Sequence, residues 1–299
     1  MSHHHSQFVE VGFRDLDQSK DKFWHLEHQW FSFSAHQGGR EYMEDRMHCL
    51  CDPDSNFSVF SIFDGHGGEY VSDYLEKHYS STVRHRILKN TGHTDGDEYA
   101  HAIKKAIAFT IHEIDTHIAE KNPAKTADAG STLCSAVIQN NKYLTVANVG
   151  DSRAIASDSQ GNCVVLTKDH KPSDVKEKLR VEEAGGVILQ YKNDVERVQG
   201  ILAMTRSVGD ATLKPNEVVI SVPDVKTYDL SKQQFRYIIL ASDGLFDVVS
   251  NEEAIQMANS YMQAHGTSAL SKVANILCTE ALRRGSLDNV SVLILKLVL

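Results

Sequence analysis

The feature that most constrains this chain is an apolar, β-favouring run that ends on an acid and a cluster of glycines: Val59-Phe60-Ser61-Ile62-Phe63-Asp64-Gly65-His66-Gly67-Gly68. Apolar residues fall on both pleat faces, which predicts a strand covered on both sides. Asp64 then stands at the end of a rigid element, where a ligating oxygen is held in place. Gly65, Gly67 and Gly68 permit unusual turns and a close approach to an ion or a phosphate, and His66 is set in the same turn. The stretch reads as a metal-and-phosphate site. Two plainer readings stand beside it. A dinucleotide-binding turn needs a glycine three residues after Gly67, where the chain has Tyr70. The other is a strand-to-helix turn with an Asp cap, because Glu69 to His78 puts Val71, Tyr74, Leu75 and His78 on one helical face. The motif alone leaves that second reading open.

Composition narrows the classes. The chain has 299 residues, 41% hydrophobic and 24% charged, an ordinary globular balance that allows one large domain or two small ones. A formal net charge of −9 argues against a nucleic-acid surface and invites the question whether many acids are counter-charges to a cation. The cysteines (Cys49, Cys51, Cys134, Cys163 and Cys278) are odd in number and scattered through apolar segments, the pattern of reduced, buried thiols. Cys49 and Cys51 share one strand face, but no second pair completes a zinc site. No run reaches the length of a membrane span, no secretory segment follows the N-terminus, and Ser2 does not offer a myristoylation start. A cytoplasmic or nuclear protein with no membrane attachment is expected.

Along the chain, residues 1–22 read as a polar, solvated tail that includes His3-His4-His5. Residues 23–299 read as one domain. Aromatics from Phe23 to Phe31 pack its start, and Phe31–Ala35 alternates as a half-buried strand. A polar loop, Gly38 to Asp45, precedes a short strand from Met47 to Leu50. After the opening strand come two helical patterns, the second carrying Ile103, Ile107, Ile111, Ile114 and Ile118 on one face. From Ser131 the period changes to two. Leu133–Ile138, Tyr143–Val149, Arg153–Ser157 and Cys163–Leu166 predict an antiparallel meander. A helix is predicted from Ser173 to Gly185-Gly186, then an irregular loop or flap over 187–199. Phe235–Ala241 is a second buried strand running into Asp243-Gly244. Ser250 with Glu253 makes a capping box, a further helix runs from Thr267 to Gly285, and Val290–Leu299 closes the chain as a strand. Strands in meanders and helices in pairs predict antiparallel sheets covered by helices.

The acids share one geometric property. Asp64 and Asp243 end buried strands, whereas Asp45 and Asp288 precede strand starts. In antiparallel neighbours those positions lie on the same edge, so these carboxylates can converge. Bare, they would repel one another and raise each other's pKa values. Divalent cations remove that conflict, and an all-oxygen set suits Mg²⁺ or Mn²⁺.

Several further motifs stand in order: Arg40-Glu41-Tyr42-Met43-Glu44-Asp45, Asp64-Gly65-His66-Gly67-Gly68, Gly130-Ser131-Thr132, Ala147 to Arg153, Ala203 to Asp210, Ala241-Ser242-Asp243-Gly244 and Asp288-Asn289. Together they resemble the type-2C, metal-dependent serine/threonine protein phosphatases (the PPM family), from about Trp30 to Leu299. The resemblance implies an α+β fold, a four-layer α-β-β-α sandwich of two antiparallel sheets flanked by helices, with Mg²⁺ or Mn²⁺ at one edge, two per site. It implies that Asp64 bridges both ions, Gly65 offers its carbonyl to one, Asp243 and Asp288 complete the other, and Glu44 and Asp45 act mainly through bound water. It implies Arg40 as the holder of the substrate phosphate and His66 as general acid. Asp151, with Asp243 and Asp247, corresponds to a weaker third metal site of some relatives. Phe246 departs from a frequent family tryptophan yet remains aromatic. Gly130, Ser131, Thr132, Asn148, Ser152, Arg153 and Asp210 read as packing and hydrogen-bonding residues.

The implied reaction is hydrolysis of phosphoserine or phosphothreonine in phosphorylated protein substrates, by direct attack of a metal-bridging water and without a covalent phosphoenzyme. The cysteines occupy no phosphate-binding loop, which argues against a cysteine nucleophile. A monomer is expected. The alternatives are a catalytically inactive phosphatase-like regulatory module, which predicts a broken acidic set, and another two-metal hydrolase such as a nuclease, which the acidic charge disfavours.

Overall fold

The computed structural model describes residues 7–17, 21–90 and 96–297. In chain order the first strands are β1 (Val9–Gly12), β2 (Phe23–Glu27), β3 (Phe31–His36), β4 (Asp45–Asp52) and β5 (Phe57–His66). Helices α1 (Tyr70–Lys89), α2 (Gly96–Lys121) and α3 (Pro123–Thr126) follow. Next come β6 (Gly130–Ser131), β7 (Leu133–Gln139), β8 (Tyr143–Val149), β9 (Arg153–Asp158), β10 (Cys163–Val165) and α4 (Val175–Glu183). Short strands β11 (Ile188–Gln190), β12 (Glu196–Val198) and β13 (Val208–Gly209) lead to β14 (Asp224–Asp229) and β15 (Phe235–Ala241). The chain then forms α5 (Asp243–Phe246), α6 (Asn251–His265), α7 (Leu270–Arg283) and β16 (Val290–Lys296).

Two antiparallel sheets face each other. The first runs β1-β4-β5-β7-β8-β14, with β6 and β13 added beside the end of β5; the second runs β10-β9-β15-β16-β3-β2. Pleat alternation explains the apolar run of β5. Phe60 and Ile62 enter the core between the sheets, while Phe57, Val59 and Phe63 pack against α1 and α2. Tyr79, Ile103, Ile107, Ile111 and Ile118 supply the helical side of that second core. On the far face, α6 and α7 cover β15 and β16 through Leu277, Val273, Ile239 and Ile294. The result is the expected four-layer α-β-β-α sandwich of the α+β class. Among the described residues no helix is long and apolar enough to cross a membrane.

Several local expectations are corrected. Residues 9–15 are not solvated tail: β1 pairs with β4, setting Val9 opposite Cys51 and Gly12 opposite His48, and Phe13 is buried. Four residues with an exposed Glu10 are too short a strand to show a period. His3-His4-His5 lies outside the described residues. The sequence period around 133–166 suggested one meander, yet the chain changes sheet at Gly150-Asp151-Ser152, so that β7 and β8 belong to the first sheet and β9 and β10 to the second. Phe31–Ala35 is buried on both faces because α7 lies over its serines. Residues 187–199 contain the hairpin β11-β12, whose three-residue strands carry no readable alternation. Asp174, not Ser173, caps α4, accepting the Lys176 N–H at 2.9 Å.

Glu76 on α1 is buried against the N-terminal segment and accepts the Phe13 N–H at 2.6 Å, while its second oxygen has no hydrogen-bond partner among the described residues. Burial pushes its carboxyl up to about 7, against the pull of the Phe13 amide and the Arg46 charge. A raised acid binds its proton more tightly in the folded chain, so its cost to stability grows as pH rises from the ordinary glutamate value of 4.5 to about 7 and then levels off. Glu76→Gln imitates the protonated form. It is expected to be more stable than the native chain at pH 8, by on the order of 2 to 3 kcal/mol, and to lose most of that advantage as pH falls to 4.5. Thermal melts at both pH values check this, and a pH-independent gap would contradict it.

Candidate metal centre

The acids gather at one open end of the sandwich. Strand register sets Asp45 directly opposite Asp64 on β4 and β5, a pairing of like charges that costs stability by itself. Asp64 shares the pleat face of Phe60 and Ile62, so it points between the sheets. Asp243 opens α5 just after β15 of the second sheet, and Asp151 sits where the chain crosses between sheets. Carboxylate oxygens of Asp64, Asp151 and Asp243 all lie within 4.8 Å of one another. One buried oxygen each of Asp45, Asp151 and Asp243 has no hydrogen-bond partner among the described residues. Ser291 Oγ donates to the other oxygen of Asp45 at 2.7 Å.

Withdrawal from water raises these carboxyls first, and mutual repulsion adds to it. Asp64 is held well above the usual range by burial and by the charges of Asp45, Asp243, Asp288 and Asp151. Asp243 is raised likewise, by burial and then Asp151 and Asp288. Burial pushes Asp45 and Asp151 up to about 6. Unpartnered, crowded, all-oxygen donors are what a hard divalent cation requires. The residues therefore fit Mg²⁺ or Mn²⁺.

The backbone around them is tightly set. A Cβ at Gly65 would lie 2.5 Å from Ser72 Oγ and 2.6 Å from the Glu44 carbonyl, so only glycine lets β5 approach the Glu44 loop. Thr132 clamps Asp64 from β7's edge, its Oγ1 accepting the Asp64 N–H at 3.0 Å. Asp288 and Glu44 stand outside the closest acid group. Asp288 pairs with Arg40 Nε at 3.0 Å, and Glu44 is raised by burial. Arg40 is 64% exposed at its side chain, with Asp288 rather than its i+4 neighbour Glu44 as ion-pair partner. Asp247 lies 3.8 Å from Lys171 Nζ.

His66 Nε2 is 2.7 Å from Asp210 Oδ2, which also accepts from Ser207 Oγ at 2.6 Å. Its Nδ1 is buried without a hydrogen-bond partner among the described residues. Burial pulls the imidazole pKa down, but the Asp210 hydrogen bond and charge, with Asp151 and Glu44, raise it overall. Gly130 makes room for the pair, since a Cβ there would sit 2.2 Å from Asp210 Oδ2 and 2.7 Å from His66 Nε2.

Comparison with known proteins supplies the family. The family described as protein phosphatase 2C matches residues 30–290. The chain belongs to the protein phosphatase 2C family. It is 38% identical over 283 residues to protein phosphatase 1L of Bos taurus, covering 94% of this chain and 76% of that protein. It is 34% identical over 268 residues to the probable protein phosphatase 2C 52 of Oryza sativa subsp. japonica, covering 88% and 50%. A solved structure of a C. elegans sex determining protein superposes with a TM-score of 0.77 at 27% identity, covering 91% and 65%. The serine-threonine phosphatase 2C of Toxoplasma gondii shares the fold, with a TM-score of 0.74 at 23% identity and coverage of 98% and 99%.

Within this phosphatase 2C chain, two residues carry more than the sequence suggested. Asp210 read as a packing and hydrogen-bonding residue, and its partner proves to be His66; no spacing links positions so far apart. Asn289 clips the Arg40 loop to β16. Its Nδ2 donates to the carbonyls of Gln37 and Tyr42 at 2.8 and 3.0 Å, and its Oδ1 accepts the Glu44 N–H at 2.8 Å. Arg153, as expected, is structural: it forks onto Asp169 at 3.0 and 2.8 Å and stacks on Phe246.

Clustered acids without counter-ions destabilise the fold, and an ion bound only by the native state stabilises it by mass action. The melting temperature at neutral pH is therefore expected to rise with added Mn²⁺. The Asp64→Asn/Asp243→Asn double variant should melt independently of Mn²⁺. A wild-type midpoint that stays flat across a wide Mn²⁺ titration would count against the centre.

Proposed function

We propose that this phosphatase 2C protein hydrolyses phosphoserine and phosphothreonine in protein substrates, with two Mg²⁺ or Mn²⁺ ions held at the acidic centre. The observation that supports it most is the meeting of Asp64, Asp151 and Asp243 oxygens within 4.8 Å, beside a histidine held by its own carboxylate. Asp64, Asp243, Asp288, the Gly65 carbonyl, Asp45 and Glu44 would hold the ions, with Asp151 toward a weaker third. When bound, such ions acidify water at neutral pH and offset the charge of a phosphoryl group.

The protein's own groups do the rest. Arg40 stands at the rim and, among the described residues, pairs through Nε with Asp288. Its remaining guanidinium N–H donors suit the equatorial oxygens of a phosphate, which planar arginine grips in pairs. His66 carries the proton. Asp210 fixes Nε2–H and favours the imidazolium, which leaves Nδ1–H to hand a proton to the departing serine or threonine oxygen. The buried thiols take no part: Cys49, Cys51, Cys134 and Cys278 are pushed up by burial, away from the thiolate form. The five free cysteines support a reducing compartment, cytoplasmic or nuclear. An inactive regulatory module is disfavoured because the acidic set is intact.

Phosphate release from a phosphoserine peptide in Mn²⁺, abolished by chelator, tests the activity. The role of His66 turns on the leaving group. A serine alkoxide departs only as a proton arrives, whereas nitrophenolate leaves unaided. General acid catalysis contributes about 10²–10⁴-fold. His66→Ala is expected to lose that much kcat on the phosphopeptide and far less on p-nitrophenyl phosphate, both at saturating Mn²⁺. Equal losses on the two substrates would remove His66 from this role.

A further inference from the structure

We propose that Arg46, capped by Phe13 of the N-terminal segment, is a positioning residue for the metal centre, so that residues ahead of the family-matched stretch brace the metal-binding loops. The proposal rests on the metal-centre reading.

The contacts of Arg46 are unusually directed for a buried cation. Nη1 donates to the Met43 carbonyl at 2.8 Å and to the Asp45 carbonyl at 2.9 Å, on either side of Glu44. Nη2 reaches Glu69 at 3.2 Å, and Nε lies 3.5 Å from Asp73. Glu69 directly follows the Gly67-Gly68 turn. One guanidinium therefore joins the segment of Glu44 and Asp45, where β4 begins, to the turn that follows Asp64, Gly65 and His66 on β5. Planar geometry matters here, because the contacts are divided among Nη1, Nη2 and Nε, whereas an ammonium carries its three donors on one nitrogen.

What holds the guanidinium is Phe13. Its ring centroid is 5.1 Å from Arg46 Cζ, within the range of a cation–π contact. The same ring packs on Trp24 at 4.9 Å and Phe33 at 6.5 Å. Pairing of Gly12 with His48, and the hydrogen bond from the Phe13 N–H to Glu76, deliver it there. Val9–Asp15 precedes the matched residues 30–290, so the brace reaches the centre from outside that stretch. Groups that orient metal ligands from behind commonly change metal affinity 10–100-fold when removed.

The test is calorimetric titration of Mn²⁺ into the full-length, metal-free protein, paired with thermal melts. The variants are Arg46→Lys, which keeps charge and loses the fork, and Phe13→Leu, which keeps apolar bulk and loses the ring face. Phe33→Leu is the control for general loosening of the same aromatic cluster. Both test variants are expected to bind Mn²⁺ about 10-fold more weakly or worse, whereas Phe33→Leu lowers the melting temperature and leaves Mn²⁺ affinity unchanged. If Arg46→Lys does not fold, Phe13→Leu alone decides. Wild-type Mn²⁺ affinity in folded Phe13→Leu, or affinity that merely follows melting temperature through all variants, overturns the brace. A wild-type protein that binds no Mn²⁺ overturns the metal-centre reading and the brace with it.

Discussion

Asp45 and Asp64 face each other on neighbouring strands and point into the same gap between the sheets. Like charges so placed repel, and a chain free to slip its register would separate them. It is prevented from doing so on every side. Apolar residues on both faces of β5 pin the register, because a shift of one residue would turn Phe60 and Ile62 out of the inter-sheet core. Gly65 allows the Glu44 loop to close in, Ser291 reaches across from the second sheet to Asp45, and Asn289 ties the loop down. Packing energy from the sandwich holds an electrostatically unfavourable arrangement in place.

Charges at this end are sorted by distance from the centre. The outer acids have protein counter-ions: Asp288 has Arg40, Asp169 has Arg153, and Asp247 has Lys171. Among the described residues, no arginine or lysine makes an ion pair with Asp45, Asp64, Asp151 or Asp243. Had a lysine been placed there, the acids would be satisfied and closed to anything else. A centre that lacks its own cation, ringed by acids that have theirs, demands charge from solution and confines it to one place.

Much of this was legible in the sequence because it depends on local pattern. Asp64 and Asp243 each follow an apolar run that could only be a covered strand, and strand ends in antiparallel sheets share an edge. What stayed hidden depends on contacts between distant residues. Asp210 and His66 meet only because β6 is inserted between β5 and β13. Likewise β1 is too short and too polar on its outer face to announce itself, and the switch of sheets at Asp151 leaves the period of two unbroken. Hydrophobic alternation reports that a strand exists; it is silent about which sheet receives it.

The place of β16 in its sheet governs when the molecule can become active. This strand, late in the chain, lies between β15 and β3, and residues at its start supply Asp288, Asn289 and Ser291 to the acidic end. Until it is inserted, β3 and β15 are two separate edges, open to pairing with other chains. Contacts of this sequence separation also form slowly. A nascent chain emerging from the ribosome thus carries most of the acids of the centre long before it can assemble them. Topology alone delays assembly of the acidic centre, and the half-built sheet is the stage at which open edges are most prone to wrong pairing.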